Sequence, residues 1–105
     1  MNDELGIVNN DLEDELFGLT SQMRRCAVSI TSNIAEGFSR QSFKEKAQFY
    51  SIAQGSVTEL QNQLIVAKDV QYIQGKTFEA INQHSIKVHK IINGLIKKSK
   101  FIHYS

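Results

Sequence analysis

Apolar side chains return every three or four residues along most of the chain, the spacing that lines one side of an α-helix. At about 100° per residue, Leu19, Met23, Cys26, Ile30 and Ile34 fall on one narrow face, with Ala27 and Phe38 at one border. A second line, Gln22, Arg25, Ser29, Asn33 and Glu36, follows the other border. An apolar stripe beside a polar one suits a helix that packs against more than one neighbour. Thr20 or Ser21 can cap its start, which predicts a helix over about 20–39. Gly37 reads either as its C-terminal glycine or as a close-packing point on the apolar face.

Ser42-Phe43-Lys44-Glu45 is a capping box, serine followed three residues later by glutamate, and it announces the next helix. Phe49, Ala53, Ser56, Leu60, Leu64 and Ala67 share one face, flanked by Ile52 and Val57. This pattern carries the helix over about 42–70, roughly 40 Å at 1.5 Å per residue. The short turn Gln71–Gly75 leads into a third helix over about 76–98, its stripe set by Phe78, Ile81, Val88, Ile92 and Leu95. Residues 100–105 read as a loose tail.

Residues 1–17 are a weak N-terminal segment. Leu5, Val8, Leu12 and Leu16 repeat at helical spacing, but Gly6 and Asn9-Asn10 interrupt them. A short or frayed piece is expected, packed if at all through Leu12, Leu16 and Phe17, and separated by Gly18 from the first strong helix. Connections of a few residues set neighbouring helices antiparallel. The expectation is therefore all-α: one antiparallel up-and-down helical bundle of four-helix type, its first helix short or missing. Val28, Ala35, Ala47, Ile65 and Ile86 lie on the backs of the three helices, which favours self-association.

Composition narrows the function classes. The 105 residues suffice for one modest core, and the absence of proline removes any enforced helix break. Apolar runs are too short for a membrane span or a signal-peptide core, so the cytoplasm is the expected location. A single cysteine excludes an internal disulfide, and Cys26 reads as core filler. His84, His89 and His103 lack i,i+4 spacing, and the Glu-x-x-His pairs of di-iron bundles do not occur. No metal or cofactor is expected. No serine has a credible histidine and acid partner, and no phosphate loop or dinucleotide fingerprint is present. The chain does not read as an enzyme.

The net charge of +1 hides an asymmetry: residues 1–15 carry six acids and no base, and no acid follows Glu79. Lys87, Lys90, Lys97, Lys98 and Lys100 fill that last stretch, while Arg24, Arg40, Lys44 and Lys46 gather about one end of the first helical hairpin. These nine are the candidate nucleic-acid-binding residues. Each alone reads as solvated surface, but repetition around an oligomer multiplies weak phosphate contacts. Arg25, Ser29, Asn33 and Glu36, with Glu59 and Gln63 from the next helix, form a candidate structural polar network. It includes an expected Arg25–Glu59 ion pair, since partly buried charges are tolerated when paired.

Four stretches in order, Leu19-Thr-Ser-Gln-Met-Arg-Arg25, Ser29-Ile-Thr-Ser-Asn-Ile-Ala-Glu-Gly37, Ser56-Val-Thr-Glu-Leu-Gln61 and Leu64-Ile-Val-Ala-Lys-Asp69, carry a resemblance. They resemble the small bacterial four-helix-bundle family encoded in intervening sequences of 23S rRNA genes. The chain is also similar to the accessory protein of diversity-generating retroelements, a basic pentamer that binds nucleic acid and works with a reverse transcriptase. The resemblance implies a ring-like homopentamer. It departs at two places: the family's full-length opening helix is here a short acidic segment, and Thr31 stands where proline is common. A truncated reading frame, or a partner that supplies the missing packing, would account for the first. The functional expectation is a non-catalytic oligomeric scaffold that binds RNA or DNA through a repeated basic surface. The alternative is a structural or protein-interaction module with a protein partner, the acidic N-terminus being a candidate contact.

Overall fold

The computed structural model describes residues 2–104, with side chains described over 13–100. Three helices account for the described residues, with no strand among them: α1 (Asn2–Ser39), α2 (Phe43–Asp69) and α3 (Gly75–Tyr104). No helix among them is long and apolar enough to cross a membrane.

The capping box shapes the start of α2. Ser42 Oγ accepts from the Glu45 backbone N–H at 3.1 Å and donates to Glu45 Oε1 at 3.3 Å. At the other end the Tyr72 N–H reaches the Ala67 carbonyl at 2.8 Å and the Gln71 N–H reaches Lys68 at 3.0 Å. Gln71 turns the chain with φ 65°. Those two bonds and a left-handed residue make a Schellman stop, here without glycine.

α1 corrects the expected break. It runs unbroken through Gly18, because a glycine weakens a helix interior by about 1 kcal/mol relative to alanine without ending it. Thr20 does not cap; its hydroxyl donates back to the Leu16 carbonyl at 2.8 Å within the helix. Leu16 and Phe17 are 42% and 73% exposed, so they do not pack as expected. Leu5, Val8 and Leu12 lie outside the residues whose side chains are described. At the far end, α3 continues to Tyr104 through the expected loose tail.

Side-chain contacts fix how the helices meet. Tyr72 Oη donates to Glu15, Ser29 bonds Ser56, and Gly37 packs under the Tyr50 ring. Gln61 donates to Ser85 and Gln54 to Asn93. Positions rise along one helix as they fall along the next, so the chain reverses at each turn. α2 packs against both neighbours, whereas no Cα of α1 comes within 8 Å of one in α3 among the described residues. The Cα extents are 69 × 23 × 14 Å. Helices pack 8–10 Å apart, so 23 Å is the width of three set side by side. The radius of gyration of 18.0 Å compares with about 13 Å for a compact chain of this length.

The core is correspondingly small. Ile30, Tyr50, Ala53, Val57 and Ile92 form its main buried cluster, with Ile34, Leu60 and Val88 half-buried against them, and Cys26, Leu64 and Ala67 are buried as well. On α2, Val57 and Leu60 lie about half a turn from Lys44 and Ser51 at 100° per residue. The layer therefore has one apolar face and one mixed face, where Ile52, Ile65 and Val66 stand exposed among polar groups.

At Gly37 the Tyr50 ring of α2 lies directly against the α1 backbone. The glycine is buried, and no glycine among the described residues has positive φ, so the close-packing role is the one it fills. A methyl placed there would stand 2.7 Å from Tyr50 Cδ1. Gly37→Ala is expected to destabilise by about 1–3 kcal/mol through overpacking. Gly18→Ala, with nothing within 4 Å, is expected to stabilise by up to about 1 kcal/mol. Urea melts of both variants check the pair; equal shifts would contradict it.

Candidate nucleic-acid interface

The two turns place opposite charges at opposite poles. The acidic start of α1 lies with the α2–α3 turn, while the ends of α1 and α3 meet the start of α2. At this second pole Lys44 and Lys100, distant in sequence, line one cleft of about 800 Å³ with Phe43, Gln48, Ser51 and Ile52. Ser99, at its floor, is buried and donates to the Leu95 carbonyl at 2.8 Å. Lys97 and Lys98 are exposed on the same last turns of α3, and Lys87 and Lys90 are exposed nearer its middle. The positive end of the α2 backbone dipole faces this pole, opposed there by the negative ends of α1 and α3, so the lysine side chains and not the dipoles set its charge.

Three of the candidate cations sit differently from the rest. Arg40 forms ion pairs with Glu36 at 3.0 Å and Glu45 at 3.8 Å, and its guanidinium lies 4.7 Å from the Phe49 ring centre. Lys46 Nζ donates to the Gly37 carbonyl at 3.2 Å and to Phe38 at 2.9 Å. It satisfies carbonyls that the end of α1 leaves open. Both residues tie α1 to α2. Arg24 is exposed beside Ser21, Arg25 and Val28, sixteen positions before Arg40, or roughly 24 Å along the helix. The expected cluster of four therefore reduces to Lys44 as a free charge at the pole.

The polar network also differs from expectation. Ser29 bonds Ser56 at 2.7 Å, and Asn33 donates to the Ser29 carbonyl and hydroxyl at 2.8 and 3.1 Å. Arg25 and Glu59 both line a groove of about 450 Å³ on the polar face. They do not pair, however: the ion pairs among the described residues are those of Arg40. Both side chains are exposed, so water solvates what burial would have forced together. Glu36 turns to Arg40, and Gln63 is buried with Oε1 unbonded. Ser56 was missed as a member; its signal was a hydroxyl on the apolar stripe of α2.

Cys26 is buried beside this groove. Burial pushes its thiol above the ordinary 9.0, and the Glu59 carboxylate pushes in the same direction. Burial likewise raises the Tyr50 phenol above 10.0. On the opposite face an apolar trough of about 240 Å³ opens between α1 and α3, lined by Ile30, Val57, Leu60, Ile81 and Val88.

The family model described as 23S rRNA-intervening sequence protein matches residues 5–94. The chain belongs to that family. No curated protein matches it. The match covers nearly all of α1, the whole of α2 and α3 as far as Gly94. It stops before Lys97, Lys98 and Lys100, the lysines that complete the basic pole of this 23S rRNA-intervening sequence protein.

Desolvation and the neighbouring Glu15 also raise the Tyr72 phenol, and all three raised groups are acids that stay neutral longer in the folded chain than in the unfolded one. Their contribution is fully present below the ordinary values and is lost as pH climbs through the raised ones. Stability is expected to be flat from pH 7 to about 8.5 and to fall beyond pH 9–10, with Cys26→Ala removing the earlier part of the fall. Thermal melts across that range check this; a midpoint unchanged at pH 10.5 would contradict it.

Proposed function

We propose that this 23S rRNA-intervening sequence protein is a non-catalytic cytoplasmic scaffold, an antiparallel up-and-down bundle that self-associates and binds RNA or DNA through its basic pole. The observation that carries the reading is the convergence of Lys44 and Lys100 on one open cleft at the start of α2. Lys97 and Lys98 are exposed on the same last turns of α3; Glu36 and Glu45 share this pole but are engaged by Arg40, and the acid-rich start of α1 lies at the other pole. Phosphate neutralisation by such a patch needs no base-reading motif, and it leaves a steep salt dependence because counterions are released. Repetition of the patch in an oligomer raises the effective affinity of contacts that are weak singly. The second reading, a module whose partner is another protein, is favoured by the open apolar trough.

Titration of the assembled protein with labelled RNA and duplex DNA at low and moderate salt tests the first reading. Binding at micromolar concentration or tighter is expected, weakening steeply with salt. Lys44→Glu with Lys100→Glu is expected to reduce affinity at least tenfold and to flatten the salt slope, leaving the melting temperature nearly unchanged. Arg40→Ala is expected to lower the melting temperature instead. Absence of binding at low salt would remove the nucleic-acid reading and leave the protein-partner one.

A further inference from the structure

We propose that the cleft at the basic pole takes a single strand of RNA or DNA. One unpaired base lies on the Phe43 ring, and the phosphates on either side of it meet Lys44 and Lys100. The inference rests on the nucleic-acid reading above and deepens it, to the form of nucleic acid and to the side chain that tells bases from bare phosphate.

Lysines alone take any polyanion, so the informative part of the cleft is its apolar wall. Phe43 and Ile52 stand in the same cleft of about 800 Å³ as Lys44 and Lys100, a size within the usual range for small-molecule sites. Side chains three and four apart are neighbours on a helix. The residue one turn beyond Phe43 is Ala47, too short to cover a phenyl face. Other rings of the layer are occupied. Phe49 carries the Arg40 guanidinium at 4.7 Å and Phe78 the Lys68 ammonium at 4.6 Å, while Phe38 and Tyr50 pack edge to face with centroids 5.9 Å apart. Among the described residues Phe43 has neither a cation nor a second ring against it. It is half-buried, which holds the ring in place and leaves part of it for a ligand.

Chemistry then separates single strands from duplexes. Every base has a π-face that stacks on an aromatic side chain, whatever the sequence. In a duplex those faces lie on one another, and only base edges reach the grooves. Presenting one to Phe43 would first cost unstacking and unpairing. An unpaired strand carries no such cost. Gln48 and Ser51, exposed in the same wall, offer hydrogen-bonding groups to a base edge.

The basic residues continue the path. At 100° per residue Lys90, Lys97 and Lys100 fall within about 80° of one another on α3, a row leading away from the cleft. It spans roughly 15 Å, and no acid follows Glu79 in the chain. Glu45, beside Lys44 in sequence, is engaged by Arg40 at 3.8 Å. Lys87 and Lys98 fall on another side of α3 and lie outside the row. A cationic track beside a stacking ring is the combination that sequence-tolerant single-strand binders use.

Fluorescence anisotropy with four labelled probes of equal length tests the stack: oligothymidine, oligouridine, an abasic strand that keeps the phosphates and lacks the bases, and a duplex. The strands with bases are expected to bind about fivefold to a hundredfold more tightly than the abasic one, the range set by one stacked base. Phe43→Leu keeps the apolar bulk without the π-face. It is expected to remove that difference and leave abasic and duplex binding unchanged, whereas Phe43→Tyr is expected to retain it. The chain has no tryptophan, so the emission of Phe43→Trp reports this site alone. Quenching is expected from the strands that carry bases and not from the abasic one. Tightening on the uridine strand alone assigns the site to RNA, and on the thymidine strand alone to DNA; either supports the stack. Equal binding of abasic and base-carrying strands by the unaltered protein would overturn the stack while the phosphate reading stands, as would an equal drop for every probe in Phe43→Leu. No binding of any probe at low salt would overturn both.

Discussion

Everything in this molecule hangs on α2 being shared. Among the described residues no Cα of α1 comes within 8 Å of one in α3; each is held by one side of the central helix, through Ser56 and Tyr50 on one flank and Gln54 and Gln61 on the other. A helix flanked on two sides keeps two strips free, and here the strips differ in chemistry. Val57 and Leu60 line one, while Lys44, Gln48 and Ser51 line the other. The layer has one apolar face and one that mixes lysine and polar groups with exposed Ile52 and Val66.

The polar and glycine positions around the α1–α2 turn are explained by packing before they are explained by ligands. Gly37 lets the Tyr50 ring lie against the α1 backbone, and Lys46 neutralises the carbonyl end beside it. Arg40 is held by two carboxylates and a ring. Charges so engaged are poor phosphate ligands, since binding would first break the contacts that close the turn. Lys44, Lys97, Lys98 and Lys100, which have no such obligations among the described contacts, are the ones left for solvent or nucleic acid.

Much of the helical plan was legible because it is local. Ser42 and Glu45 mark the start of α2 in four residues, and the 3.6-residue stripe of α3 needs no tertiary information. The break expected at Gly18 was not there, because a glycine and a capping-type threonine are permissive signals that a long helix overrides. At the candidate site, the type of charge was readable and its company was not. Lys44 and Lys100 are fifty-six residues apart and converge only through two chain reversals. The Arg25–Glu59 pair failed for the converse reason: adjacency on two wheels brings groups to one groove, but exposure leaves no penalty for staying apart.

Amide hydrogen exchange at several protein concentrations measures the two faces of the layer in one experiment. Peptides spanning 27–31 and 81–88 are expected to gain protection as concentration rises, because the proposed self-association buries the trough. Peptides spanning 43–51 and 95–100 are expected to stay unchanged until RNA or DNA is added. Protection in the trough that is independent of concentration, or concentration-dependent protection that appears at the lysine cleft instead, would contradict the assignment of the two faces.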